Sequence, residues 1–115
     1  MIIKWKEIKI LLRPGVTDFR KQINGLSMIA KEELKQNIFS GILFLFCNKT
    51  RTRLKVLYWD RNGFCLWMKR LEKDKFPWPK STQDGIEIDL KRFKMLLDGI
   101  DFFGEYQEII NQKFI

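Results

Sequence analysis

The chain is 115 residues long and 45% hydrophobic, enough apolar material for one packed domain and too much for a disordered one. Its 22 Lys+Arg against 14 Asp+Glu give a formal net charge of +8. It has no histidine, which excludes Ser-His-Asp and Cys-His nucleophile systems, His-ligated metals and an imidazole base near neutral pH.

The two cysteines, Cys47 and Cys65, cannot complete a four-sulfur zinc site within one chain and read as small buried hydrophobes. The start of the chain, Met1 to Ile8, alternates charged and apolar residues, unlike the apolar core of a signal peptide. No run approaches the roughly 18 consecutive apolar residues of a membrane span. A reducing, cytoplasmic setting without membrane, metal or cofactor is the expectation.

The charge is uneven. Residues 49–80 hold ten basic residues and three acidic ones, whereas residues 81–115 hold four basic and seven acidic. A clustered basic stretch is the electrostatic footprint of a polyanion partner, although net charge alone equally describes a soluble surface.

Taken in chain order, Ile8–Leu12 predicts a strand stopped by Arg13-Pro14-Gly15. From Asp18 to Lys35 apolar residues recur at three- and four-residue steps. This predicts helix capped by Thr17 or Asp18 and interrupted at Asn24-Gly25. Ile42–Cys47, Arg53–Asp60 and Phe64–Leu71 predict three strands of an antiparallel meander. Phe76-Pro77-Trp78-Pro79 cannot be a central strand, because proline lacks the ladder donor; Trp78 either packs back on the sheet or docks a partner. Ile86–Ile88 predicts an edge strand. Leu90–Leu97 predicts a helix capped by Asp89 and ended by Gly99, and residues 104–115 a terminal helix or tail. The expected fold is therefore α+β in a single domain spanning 1–115: an antiparallel meander sheet of four to five strands, with an N-terminal helical segment and a C-terminal helix.

Asp60-Arg61-Asn62-Gly63 suits a type I turn closed by a glycine bulge, with Asp60 opposite Phe64. That register puts Leu54, Val56, Tyr58, Leu66 and Met68 on a core face. Arg53, Lys55, Leu57, Trp59, Cys65, Trp67 and Lys69 then fall on the other. Lys55 and Lys69 become cross-strand neighbours, a destabilising like-charge pair unless an anion lies over it. Aromatics among lysines and arginines hold a phosphate backbone and stack on bases. A one-residue slip exchanges the faces.

Gly15-Val16-Thr17-Asp18-Phe19-Arg20-Lys21, Gly25-Leu26, Phe39-Ser40-Gly41 and Leu43-Phe44-Leu45-Phe46 form the first part of an ordered set of motifs. It continues with Lys55-Val56-Leu57-Tyr58-Trp59-Asp60, Gly63, Lys69-Arg70-Leu71-Glu72, Phe76-Pro77-Trp78-Pro79 and Leu96-Leu97-Asp98-Gly99-Ile100. In this order and over about residues 10–103, the set resembles the TnpB-type second-open-reading-frame proteins of the insertion-sequence family numbered sixty-six. Nothing in it resembles the larger RNA-guided nuclease that shares the name. Where the family pattern has a more Gly/Arg-rich loop, this chain has Asn48-Lys49-Thr50-Arg51-Thr52, and Arg51 and Arg53 keep the positive charge. The resemblance implies an accessory factor for transposition, encoded beside a separate transposase.

Asp18, Asp60, Glu72 and Asp84 have no spacing that matches a two-metal site, so the chain reads as non-enzymatic. The expected DNA-binding residues are Arg51, Arg53, Lys55, Lys69, Arg70, Lys73 and Lys75, with Trp59 and Trp67. Arg20 and Lys21 are a secondary anion-binding candidate, the alternative being that Arg20 pairs with a carboxylate such as Asp60. DNA, with weak sequence specificity, and the transposase of the same element are the expected partners. An adaptor that binds the transposase without touching DNA is the alternative, and self-association of the basic middle with the acidic end is also open.

Overall fold

A computed structural model describes residues 7–80 and 84–101. Seven elements follow in order: β1 (Ile10–Leu12), α1 (Ile23–Glu32), β2 (Leu43–Cys47), β3 (Arg53–Asp60), β4 (Gly63–Arg70), β5 (Ile86–Ile88) and α2 (Leu90–Leu97). The predicted segment 104–115 lies outside the described residues.

The five strands form one sheet in the order β4-β3-β2-β1-β5. β2, β3 and β4 make the expected antiparallel meander. β1, however, runs parallel to β2, and β5 closes the other edge antiparallel to β1, so the sheet is mixed and not purely antiparallel. The reason is the connection: α1 occupies the link from β1 to β2, and a helical crossover returns the chain in the same direction.

Each face of the sheet carries a helix. Leu11, Phe44, Phe46 and Leu57 pack beneath Leu26, Ile29, Ala30 and Leu34 from α1 and the turn after it. Leu12, Leu43, Leu45, Cys47, Leu54 and Val56 pack on the other face with Phe76 and with Phe93 and Leu96 of α2. All five residues of β2 are accordingly buried. A strand covered on both sides reads as a continuous apolar run, without the alternation of a half-exposed strand.

α1 starts later than its periodicity predicts. The Asp18 carboxylate accepts from the backbone N–H of Arg20 at 2.9 Å and holds its guanidinium at 2.7 Å. This local bond competes with helix formation. Gln22, not Thr17 or Asp18, is the N-cap, and Gly25 lies inside the helix, not at a break. Buried Thr17 instead takes a hydrogen bond from Arg13 at 3.0 Å. α2 follows its sequence signals: Asp89 accepts from the N–H of Arg92 at 2.8 Å, and Gly99 ends it at φ 73°. The indole N–H of half-buried Trp78 donates to the Arg13 carbonyl at 2.9 Å, so this tryptophan packs back.

The β3–β4 hairpin differs from expectation by one residue. Asp60 pairs with Gly63, because Arg61 adopts φ 51° and Arg61-Asn62 alone make the turn. The register gains a cross-strand aromatic pair, Trp59 with Phe64, whose centroids lie 5.0 Å apart in edge-to-face geometry. It also exchanges the faces of β4. Trp67 now sits opposite Val56, and Lys69 opposite Leu54, while Lys55 faces Met68. Lys55 and Lys69 therefore lie on opposite faces of the sheet and are not neighbours.

Both ammonium groups serve the fold. Lys55 is 5% exposed; its Nζ donates to the carbonyls of Phe19 (3.0 Å) and Lys21 (2.9 Å) and lies 4.7 Å from the Phe19 ring centroid. Burial, with the charge of Arg53 adding to it, pushes this ammonium below the ordinary lysine range. Lys69 Nζ donates to the Leu97 carbonyl at 2.7 Å, closing the C-terminal end of α2.

Two outcomes follow from this packing. Lys55→Met keeps the apolar stem but leaves two carbonyls without their charged donor, and is expected to cost about 1–2 kcal/mol in urea unfolding. Lys73→Met, at an exposed position, is expected to stay within about 0.5 kcal/mol; equal costs would contradict the internal role of Lys55. Burial pushes the thiol of Cys47 from 9.0 to about 12, whereas Cys65 is only half-buried on the edge strand. A thiol reagent at pH 8 should titrate one cysteine in the native protein and two in urea. Two equally fast native thiols would contradict the burial of Cys47. Because the unfolded thiol ionises first, the stability due to this group is intact below about pH 9 and is lost as pH rises towards the folded value.

Candidate nucleic-acid interface

With both faces of the central strands covered, surface charge collects at strand ends and in loops. The end where β2 stops and β3 starts is built around Asn48. Its Oδ1 accepts from the N–H groups of Thr52 and Arg53, each at 3.0 Å, and its Nδ2 donates to Thr50 at 3.1 Å. The hydroxyls of Thr50 and Thr52 lie 2.8 Å apart and share a hydrogen bond. Where a Gly/Arg-rich loop would depend on backbone freedom, this one is held by a side-chain hub.

Arg51 sits at the crest of that loop with φ 60°, a conformation that costs a non-glycine residue about 1 kcal/mol. It is fixed from both sides: its N–H donates to the Asn48 carbonyl at 3.1 Å and its carbonyl accepts from the Phe76 N–H at 2.7 Å. The Leu71 N–H donates to the Thr52 carbonyl at 2.8 Å. The segment Leu71–Phe76 is thereby strapped across the loop, anchored by fully buried Phe76, and carries Lys73 and Lys75 on its exposed part. On the other side, the Gly15 N–H donates to the Pro79 carbonyl at 2.9 Å, which draws Lys80 to the same end.

Arg51, Arg53, Arg70, Lys73 and Lys75 thus converge at one end of the sheet, joined by Lys49 and Lys80. Arg53 and Arg70 are cross-strand partners, so the like-charge pair that the spacing assigns to Lys55 and Lys69 is formed by these two arginines. Arg70 has a carboxylate partner, Glu72, at 2.8 Å. Among the described residues the side chains of Lys49, Arg51, Arg53, Lys73, Lys75 and Lys80 have no ion pair or hydrogen bond, and all are exposed.

The remaining candidates fall elsewhere. Lys55 and Lys69 are spent on backbone carbonyls. Trp59 lies at the opposite, hairpin end, edge-on to Phe39 at 4.9 Å and to Phe64. Trp67, 45% exposed, lies midway along the outer strand β4. Arg20 pairs with Asp18, not Asp60, and its guanidinium holds that carboxyl down to about 2. The chain before α1 is consequently no bare anion site, although Lys21 is exposed beside it. Lys49 and Lys80 were not singled out by spacing, because the backbone bonds of Asn48 and Pro79 that place them are long-range or local to an irregular loop.

A cleft of about 340 Å³ opens in this end, lined by Gly15, Val16, Asn48, Lys49, Arg51, Trp78, Pro79 and Lys80. A second depression of about 520 Å³, at the β5 edge, mixes Glu7, Glu87 and Asp89 with Lys9 and Arg92. Among the described residues no group of three or more Cys, Asp and Glu side chains is placed to hold a metal ion, and no helix is long and apolar enough to cross a membrane.

A family model described as IS66 Orf2 like protein matches residues 8–106. Two proteins of Sinorhizobium fredii (strain NBRC 101917 / NGR234) are similar over 102 residues. "Uncharacterized protein y4hO" is 33% identical, with 89% of each chain covered, and "Uncharacterized protein y4jC" is 30% identical, with 89% of this chain and 87% of the relative covered. No solved structure matches. The family match contains every described strand and helix and the whole basic end: the chain belongs to the IS66 Orf2-like family of insertion-sequence proteins and, with that family, to the accessory side of transposition.

Proposed function

We propose that the protein is a non-enzymatic DNA-binding factor for transposition, which grips the phosphate backbone with the basic end of its sheet. The observation that carries this reading is the convergence of Lys49, Arg51, Arg53, Lys73, Lys75 and Lys80, exposed and without carboxylate partners among the described residues. Unpaired cations held close together repel one another, and an anion laid across them relieves that repulsion. The rigid loop presents its charges without first having to be ordered, which lowers the cost of binding. Phosphate contacts carry no sequence information, so this grip discriminates weakly between sequences. A factor of this kind supplies affinity for DNA and leaves strand chemistry to the transposase encoded beside it.

An adaptor role towards the transposase is favoured by a different observation. Among the described residues no strand lies beside the outer edge of β4, and this strand exposes Trp67 at 45% and Met68 at 52%. Such an edge suits a protein partner. The two roles use different surfaces and are compatible.

Duplex DNA from the element's end is the probe. Four phosphate contacts would lower affinity about a hundredfold between 50 and 200 mM salt. Lys73→Gln/Lys75→Gln is expected to reduce the slope of log affinity against log salt by about 2 and to leave stability unchanged. Lys91→Gln, at an exposed position of α2, should leave the slope as it is. Salt-independent binding, or a slope indifferent to the Lys73/Lys75 change, would sink the phosphate grip.

A further inference from the structure

The cleft within the basic end differs from the rest of that surface, because it has an apolar interior. Val16, Trp78 and Pro79 supply that surface, and Lys49, Arg51 and Lys80 supply cations around it; among the described residues no carboxylate lines it. Val16 is 57% exposed, an apolar residue left open to water beside three positive charges that have no partner among the described residues. The combination asks for a ligand that is apolar and planar in one part and anionic in the next.

Trp78 is well prepared for such a ligand. It packs against the α2-side core, its N–H is fixed on the Arg13 carbonyl at 2.9 Å, and both neighbouring residues are proline. An indole that is already immobile loses little freedom on stacking. Arg51 and Lys49 come from the loop held by Asn48, and the Gly15–Pro79 backbone bond at 2.9 Å ties the two remaining walls together. At about 340 Å³ the cleft lies at the small end of ligand pockets, suited to one flat ring system and not to a folded peptide segment.

We infer that this cleft receives one unpaired nucleotide of DNA, with the base against Trp78, Val16 and Pro79 and the flanking phosphates on Lys49, Arg51 and Lys80. The inference rests on the DNA-binding reading above and adds strand state to it. A base in a duplex is stacked and cannot enter; a base in a single strand, or at an opened end, can. The protein therefore holds duplex DNA by charge alone and single-stranded DNA by charge and stacking together. An acidic peptide would satisfy the cations but leave the aromatic surface without a planar partner.

The test compares probes on the intact protein, so it does not depend on a variant that folds. A short oligothymidylate, an abasic single strand of equal length, a duplex of equal length and a polyglutamate peptide are titrated at the same salt. The oligothymidylate is expected to bind about tenfold more tightly than the abasic strand, the gain of roughly one stacked base. Equal affinity for the two strands, or polyglutamate binding as tight as oligothymidylate, overturns the inference while leaving the phosphate grip intact. Absence of binding to every DNA probe overturns both. Trp78→Leu, with melting measured alongside, should remove the difference between the strands. If that variant unfolds, Val16→Glu at the exposed rim is used, and it should abolish the preference for bases; a preference that survives in a folded variant of either kind places the base elsewhere.

Discussion

A strand that is apolar on both faces needs a layer on each side, and Leu43–Cys47 is such a strand. Leaving either face in water would expose Phe44 and Phe46 or Leu43 and Leu45. Burying a side chain of this size is worth about 1.5–3 kcal/mol. α1 and α2 meet that requirement from opposite sides. The consequence for function is geometrical: over its central strands the sheet has no broad open face on which to spread charge. A lysine that the pattern puts on β3, Lys55, is taken under the α1 layer and made to hold the Phe19 and Lys21 carbonyls. The charge that remains for a partner gathers at the end of the sheet.

That end is shaped by constraints of its own. Asn48 closes the β2–β3 loop through its side chain, Arg51 is held in a left-handed conformation, and Phe76 pins the strap that carries Lys73 and Lys75. Strain of the Arg51 kind persists only where the surroundings impose it, and it recurs at binding sites. The cations are thus displayed on a rigid support. Trp78, packed from the same side, gives the basic end an apolar interior that a purely soluble surface would not need.

Much of this was legible in the sequence. Element types and most boundaries follow from periodicity, Asp89 and Gly99 delimit α2, and the prolines around Trp78 exclude a strand. The concentration of charge in residues 49–80 marks the stretch from which most of the basic end of the sheet is built. The family resemblance pointed to the right process. What failed were statements that depend on pairing. The parallel β1–β2 contact is a long-range choice that a meander of apolar runs does not reveal, although the unbroken apolarity of β2 was its trace. The hairpin register turned on one residue, Arg61 at positive φ, and that single step moved Lys69 to the α2 side and separated it from Lys55. Asp18 looked like a cap and is instead the partner of Arg20. Asn24-Gly25, a break by periodicity, lies inside α1, so these last two are local signals that the packed structure overrides.

On the proposed reading the end of the sheet, and neither its faces nor the hairpin tip, meets DNA. Backbone amide chemical shifts recorded while DNA is added test it most directly, residue by residue. The large changes are expected to cluster at Gly15-Val16, Asn48–Arg53 and Arg70–Lys80, with Phe39, Trp59 and Phe64 undisturbed. Changes centred on the Phe39–Trp59–Phe64 end or along the outer edge of β4, with the basic end silent, would contradict it.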